Sequence, residues 1–285
     1  MTEKDYLTTY KSTWCPGCGN FGLAIAMRKA LAELNLDPAK VLIVYGIGCS
    51  GNGVNFTKTY AWHSLHGRAV PTAIGAKLAN KDLTVIAMAG DGDGLGEGMG
   101  HFIHAIRGNA DVTYVIHDNK TYSLTTGQAA PTSDRGFKAK TTPEGVIEEM
   151  ANPVSLALAA GTSFVARGFA GNAEHLKEIF KAAITHRGFS VVDVFQPCVT
   201  FNTVNTFKWF FDRLYNIDQD ATYNKNDLSR AFKESLIWGA KIPYGIFYQN
   251  NRPTYGDELP QLRGAALVKR PMTVRDIDRL VKSFA

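Results

Sequence analysis

Two short apolar runs, Thr84-Val85-Ile86-Ala87-Met88-Ala89 and Val112-Thr113-Tyr114-Val115-Ile116, constrain the fold of this chain more than any other feature. Both are uncharged and rich in β-branched residues, the pattern of strands buried on both faces of a parallel sheet. Between them, residues 95–107 carry Met99, Phe102, Ile103 and Ile106 at helical spacing, so the segment reads as strand, turn, helix, strand. The turn is Gly90-Asp91-Gly92-Asp93-Gly94. Its glycines are expected to take positive φ and to let a phosphate approach the amides at the positive end of the following helix. Asp91 offers a hard oxygen to Mg²⁺, and Asn119, 28 residues on, closes the next strand and would bring a second oxygen to the same edge. Mg²⁺ takes a few protein oxygens and completes its octahedron with phosphate oxygens. Gly-Asp-Gly is also an ordinary loop sequence; its strand and helix context favours the phosphate site.

The alternation extends along the chain. Residues 19–34 form a helical pattern with Leu23, Ala26, Met27, Ala30, Leu31 and Leu34 on one face, and residues 41–45 form the next strand. Residues 71–80, 154–160 and 172–186 read as helices, with a short strand around Phe164, and residues 191–195 as the last core strand. The class is α/β, a doubly wound parallel sheet. Residues 1–200 would form this domain, and residues 201–285 a C-terminal extension packed on it or against a partner. The extension has a dense aromatic cluster (Phe207, Trp209, Phe210, Phe211, Tyr215), a helical stretch at 224–238, Pro243 and Pro253 as interruptions, and a last helix at 274–284.

The net charge of +5 is spread along the chain, with no Lys/Arg-rich block of the kind that grips nucleic acid. No window approaches the ~20 apolar residues of a membrane span, and residues 1–11 lack the apolar core of a signal peptide. The expectation is a cytoplasmic protein that binds neither nucleic acid nor membrane.

The four cysteines all sit at turns. Cys15 and Cys18 form a CxxC in Trp14-Cys15-Pro16-Gly17-Cys18-Gly19, Cys49 follows the strand at 41–45, and Cys198 follows the strand at 191–195. Loops beyond the carboxyl ends of parallel strands gather at one edge, so Cys49, Cys198 and Asp91 should share a region of space. Four thiols in a cytosolic chain fit a metal site, either Zn²⁺ or an iron–sulfur cluster, a redox CxxC, or unrelated buried cysteines. One pair plus two distant singles is less like a zinc ribbon than like a 4Fe–4S cluster. His101 and His104, at i and i+3, lack a third ligand and read as helix surface, while His63 and His117 read as structural.

Together these residues resemble the β subunits of the 2-oxoacid:ferredoxin oxidoreductases, over about residues 10–205. The resemblance rests on Trp14-Cys15-Pro16-Gly17-Cys18-Gly19, Gly46-Ile47-Gly48-Cys49-Ser50, His66-Gly67-Arg68-Ala69 and Gly90-Asp91-Gly92-Asp93. It continues through Asp118-Asn119, Tyr122, Thr125, Gly127-Gln128, Pro131-Thr132 and Gln196-Pro197-Cys198. It implies a thiamine diphosphate-binding fold in which Asp91, Asn119 and the Thr121 carbonyl hold Mg²⁺ against the diphosphate. It also implies that Ile47, Gly48, Cys49, Ser50 and His66 line the cofactor, with Gly92, Asp93, Ser123 and Leu124 nearer the diphosphate. Cys15, Cys18, Cys49 and Cys198 would bind one 4Fe–4S cluster beside the thiamine ring. The activity implied is oxidative decarboxylation of a 2-oxoacid to acyl-coenzyme A and CO₂, with electrons leaving singly through the cluster to ferredoxin.

Substrate choice is less constrained. Asn52, Arg68 and Thr126 are the candidate substrate contacts, with Thr126 standing where relatives often carry Gly or Lys. A lysine there could pair with the distal carboxylate of 2-oxoglutarate; Thr126 cannot, and Asn52 is also neutral. The reading is 2-oxoglutarate or broad 2-oxoacid use, with a pyruvate-specific member as the alternative. The carboxylate that acts on the thiamine aminopyrimidine is expected from a partner α (or α/γ) subunit, so the chain would be inactive alone. Two readings of other kinds remain open: a non-catalytic scaffold with a structural Cys₄ zinc, and a non-oxidative thiamine decarboxylase with incidental cysteines.

Overall fold

The computed structural model describes residues 1–271 and 277–284. In chain order the main elements are α1 (Gly19–Glu33), β1 (Val41–Tyr45), β2 (Tyr60–His63), α2 (Ala69–Ala79), β3 (Thr84–Gly90), α3 (Met99–Gly108) and β4 (Val112–Asp118). They continue as α4 (Pro153–Ala159), β5 (Phe164–Phe169), α5 (Ala173–Thr185), β6 (Phe189–Phe195), α6 (Phe207–Phe211), β7 (Leu214–Asn216) and α7 (Leu228–Ser235). Last come β8 (Ile242–Gln249), α8 (Tyr255–Glu258) and α9 (Ile277–Lys282). Positions 274–276 of the expected last helix lie outside the described residues.

Alternation within each strand sends side chains to two separate cores. Leu42 and Val44 of β1, Val85 and Ala87 of β3, and Tyr114 and Ile116 of β4 pack under α2, α3 and α4. Val41 and Ile43, Ile86 and Met88, and Val115 face the other way, under α1 and α5. The apolar face expected on α1 is the face it buries, with Leu23, Ala26, Met27, Ala30 and Leu31 each at most 2% exposed. The described strands form a sheet in the order β2-β1-β3-β4-β6-β5-β8-β7, parallel from β2 to β5 and covered by helices on both faces. Strands β1, β3, β4 and β6 are consecutive neighbours, so the segments following Tyr45, Gly90, Asp118 and Phe195 emerge side by side at one edge.

Four local expectations are corrected. Strand β6 is not the last in the sheet: β8 pairs antiparallel with β5, and β7 parallel with β8. Pro243, which read as an interruption, sits where β8 has run past its pairing with β5, a position that tolerates a residue without an N–H. The helix after the Gly-rich turn begins at Met99, because residues Gly92–Glu97 form a wider π-type turn. The stretch at 224–238 is helical only over Leu228–Ser235.

The aromatic cluster packs on its own chain. Phe210 stacks on Phe195 at 4.5 Å and lies 5.6 Å from Phe169, closing the carboxyl ends of β5 and β6. Arg167 on β5, buried, ties the same region together: it donates to Asp193 on β6, to the Pro243 carbonyl on β8 and to Asn152 at the start of α4.

Candidate active site

The Gly-rich turn is built by close packing rather than by unusual backbone. Gly90, Gly92 and Gly94 do not take positive φ, which corrects the sequence expectation. A Cβ on Gly92 would stand 2.3 Å from the Tyr122 ring, and one on Gly94 1.9 Å from the Tyr114 hydroxyl. Tyr122 also donates to the Gly92 carbonyl at 3.1 Å. At Gly90 nothing lies nearer than the Ser50 hydroxyl at 3.7 Å, which leaves that backbone open to a ligand.

Around this turn lies a cavity of about 100 Å³. Its lining contains Ile47, Gly48, Cys49, Ser50, His66, Asp91, Gly92, Asp93, Asn119, Thr121, Ser123 and Leu124, every residue expected for cofactor or Mg²⁺ from this part of the sequence. Asp91 is 1% exposed and accepts a hydrogen bond from Thr132. Burial, then the adjacent charge of Asp118, holds the Asp91 carboxyl well above the usual carboxylate range. Two buried acidic groups side by side are costly until a cation joins them, so the donor set fits a divalent ion. The Asn119 side chain accepts from the Thr121 N–H at 3.1 Å, an Asx turn that carries the Thr121 carbonyl into the same region.

Asp93 does a different job. Its Oδ1 accepts from the Gly67 N–H at 2.7 Å and lies 3.4 Å from His66 Nδ1, fixing the loop before α2 against the turn after β3. Burial raises its pKa while the Gly67 and Ile47 amides and the two nearby histidines oppose the rise. Ser50 Oγ is buried without a partner, as expected of a lining that receives a polar ligand.

A second cavity, about 190 Å³, abuts the first and is lined by all four cysteines together with Trp14, Asn20, Asn52, Gln196 and Phe201. The two share Cys49, Asn119, Ser123 and Leu124. The CxxC turn is seated by Trp14 Nε1 donating to the Cys49 carbonyl at 2.7 Å and by the Gly19 N–H donating to the Pro197 carbonyl at 3.1 Å. Gln196 Nε2 and the Phe201 N–H point at Cys18 Sγ (3.3 Å) and Cys198 Sγ (3.4 Å). Burial pushes the Cys18 thiol up to about 11 and the Cys49 thiol upward too, with the neighbouring cysteines adding to both. Thiolates here therefore require a positively charged centre. Among the described residues no three His, Cys, Asp or Glu side chains gather around a single ion, whereas the cysteines ring a volume. That arrangement fits a polynuclear cluster.

Of the three candidate substrate contacts, Asn52 lines the cysteine cavity; Arg68 and Thr126 line neither. The Arg68 guanidinium donates to the carbonyls of Gly67 and Glu97, and Thr126 occupies an exposed turn at φ 78°. His104 contacts Arg107 on the outer face of α3. His117, read as structural, is in the cavity lining, and burial drops its pKa to about 3. Sequence could have flagged it only by its place one residue before Asp118 at the end of a strand. A larger cavity, about 430 Å³, opens elsewhere beside Lys77, Asp111 and Arg187 and contains none of the motif residues.

Residues 46–194 match the family model for the thiamine pyrophosphate enzyme C-terminal TPP-binding domain, and residues 198–264 match that for the C-terminal part of the pyruvate ferredoxin oxidoreductase β chain. The sequence is 45% identical to 2-oxoacid:ferredoxin oxidoreductase 1, subunit beta, of Aeropyrum pernix, over 96% of this chain and 89% of that one. It is 48% identical to the 2-oxoacid:ferredoxin oxidoreductase subunit beta of Saccharolobus solfataricus, over 83% and 81%. The solved 2-oxoglutarate:ferredoxin oxidoreductase from Magnetococcus marinus, with 2-oxoglutarate, coenzyme A and succinyl-CoA bound, superposes with a TM-score of 0.91 at 37% identity, covering 99% of this chain and 96% of that one. With the Asp91–Asn119 turn and the cysteine chamber meeting at one sheet edge, these matches establish that the chain belongs to the β subunits of the 2-oxoacid:ferredoxin oxidoreductases, with a thiamine diphosphate-binding domain.

Proposed function

We propose that the chain works as the thiamine diphosphate subunit of a coenzyme A-dependent enzyme that oxidises a 2-oxoacid to acyl-coenzyme A and CO₂ and passes two electrons, one at a time, to ferredoxin. The observation that carries this reading is the shared wall of Cys49, Asn119, Ser123 and Leu124 between the Asp91 cavity and the four-cysteine cavity. Thiamine diphosphate, when bound, would supply the electron sink for decarboxylation of the 2-oxoacid, and an adjacent 4Fe–4S cluster would supply the one-electron exit. The residues of this chain hold and orient. Asp91, Asn119 and the Thr121 carbonyl hold Mg²⁺ and through it the diphosphate; Ile47, Gly48, Ser50 and His66 line the cofactor; Gly92, Asp93, Ser123 and Leu124 flank its diphosphate end. Cys15, Cys18, Cys49 and Cys198 hold the cluster.

Among the described residues the carboxylates lining the Asp91 cavity are Asp91, assigned to Mg²⁺, and Asp93, bonded to the Gly67 N–H. The carboxylate that acts on the aminopyrimidine therefore comes from the α (or α/γ) subunit. Leu65, 76% exposed beside the cavity-lining His66, and Tyr60 and Trp62, exposed along the edge strand β2, give that subunit an apolar surface. Neither cavity includes Lys or Arg among its described lining residues. A distal carboxylate, where the substrate has one, is then left to the partner, which leaves this chain open to 2-oxoglutarate and to 2-oxoacids without that charge, pyruvate among them.

The test is co-purification of the chain with its genomic neighbour under anaerobic conditions, followed by coenzyme A-dependent dye reduction with pyruvate, 2-oxoglutarate and branched 2-oxoacids. The heteromer is expected to turn over several of these and the isolated chain none. Turnover by the isolated chain, or a colourless heteromer holding stoichiometric zinc, would overturn the proposal.

A further inference from the structure

Two buried side chains that the assigned roles leave unused join the cavities. Asn20, in the first turn of α1, lines the cysteine cavity and is 1% exposed; His117, at the end of β4, lines the Asp91 cavity and is 3% exposed. They meet at 2.8 Å between Asn20 Oδ1 and His117 Nδ1. An amide oxygen only accepts, so His117 carries its proton on Nδ1 and presents a lone pair at Nε2. Both outer atoms of the pair, Asn20 Nδ2 and His117 Nε2, are buried without a partner. Such atoms are costly unless a ligand satisfies them, and here each belongs to a residue lining a ligand cavity. The Asn20 backbone N–H also bonds to Cys18, so one residue reaches the cysteine set through its main chain and His117 through its side chain.

We propose that Asn20 and His117 form a positioning bridge: Asn20 Nδ2 donates a hydrogen bond to the sulfur cage, while His117 Nε2, oriented by Asn20 Oδ1, accepts one from the bound cofactor or a water it orders. The bridge fixes the cofactor against the electron acceptor. It rests on the functional reading above, since it needs both groups to be present. Neither residue touches Mg²⁺ or ligates iron in that reading, and the pair acts without changing protonation. Hydrogen bonds to cluster sulfurs raise the reduction potential, so losing one lowers it. A neutral hydrogen bond is worth about three- to tenfold in affinity.

The experiment uses the anaerobic heteromer and two readouts besides turnover: the midpoint potential of the cluster by electron paramagnetic resonance titration, and thiamine diphosphate affinity by calorimetry in the presence of Mg²⁺. Asn20→Leu is expected to lower the potential and to weaken cofactor binding by about three- to tenfold. His117→Phe should weaken cofactor binding to a similar extent and leave the potential within error of wild type. His117→Gln, whose amide can restore an acceptor, should recover part of the affinity and keeps the test alive if the Phe variant fails to fold. Wild-type potential and affinity in Asn20→Leu with a full iron complement would overturn the bridge alone. A wild-type heteromer that lacks a cluster or does not bind thiamine diphosphate would overturn the functional reading, and the bridge with it.

Discussion

The Gly19 N–H donates to the Pro197 carbonyl at 3.1 Å, which brings the turn carrying Cys15 and Cys18 against the turn carrying Cys198. The contact is possible because residue 19 has no side chain: a Cβ would lie 2.9 Å from the Gln196 carbonyl carbon and the Pro197 nitrogen, both rigid backbone. Gly19→Ala must therefore push the two turns apart. Iron content per chain is expected to fall severalfold while far-ultraviolet circular dichroism changes little, since α1 keeps its apolar face. Full iron content in this variant would show that the approach is not needed.

Cation binding at Asp91 should release a proton. Burial and Asp118 hold the Asp91 carboxyl well above its ordinary pKa, so the cation-free protein retains a proton that the unfolded chain would lose. Mg²⁺ needs the carboxylate, so affinity for Mg²⁺ with thiamine diphosphate should rise with pH until the pH passes the raised pKa, then level off. The same sign makes this group a source of instability as pH climbs through that window without the ion, which ion binding offsets. Calorimetry in two buffers of different ionisation enthalpy should show proton release. Asp91→Asn should abolish the release and weaken binding by at least about tenfold, the loss of a charge-assisted contact.

Arg167 should matter to stability and not to the chemistry directly. It is 1% exposed, pairs with Asp193 at 3.2 Å, and reaches β8 and α4 through Pro243 and Asn152. Arg167→Met leaves Asp193 buried without its counter-charge, a loss of about 3–5 kcal/mol. Burial already raises the Asp193 pKa to about 7 even with Arg167 present, and removing the cation raises it further. The variant's stability should therefore be highest at mildly acid pH and fall more steeply than wild type toward pH ~8. Urea melts across this range measure both effects.

Phe210 should anchor the C-terminal segment. Its ring is 1% exposed and stacked on Phe195 at 4.5 Å, so Phe210→Ala is expected to cost about 3–5 kcal/mol. Limited proteolysis should then cut first between α6 and β8. Unchanged cleavage would mean that this segment is held mainly by the pairing of β8 with β5.

Strands β3 and β4 were legible because burial on both faces leaves an uninterrupted apolar run, and α1 because its buried face repeats at helical spacing. Strand β2 left no such trace: Tyr60 to His63 are all exposed at the sheet edge, where no apolar pattern is enforced. Strand β8 was hidden by Pro243, whose position beyond the β5 pairing only the tertiary structure reveals. The convergence of Cys49, Cys198 and Asp91 was legible because each follows a strand of a parallel sheet, whereas the place of Cys15 and Cys18 beside them came from the resemblance. The reason for Gly92 and Gly94 was not legible, because Tyr122 and Tyr114 approach them from elsewhere in the chain. His117 was missed for a related reason: its partner Asn20 is 97 residues away.

If the four cysteines of this chain hold an electron-transferring cluster beside the thiamine site, removing one of them must remove both the iron and the electron exit. The most direct measurement is the iron and acid-labile sulfide content of the anaerobic heteromer, with the paramagnetic signal recorded after adding 2-oxoacid and coenzyme A, for wild type and Cys49→Ala. The variant is expected to hold about four irons fewer per β chain and to lose the substrate-induced signal. Equal iron in both proteins, with the same substrate-induced signal, would contradict the cluster assignment.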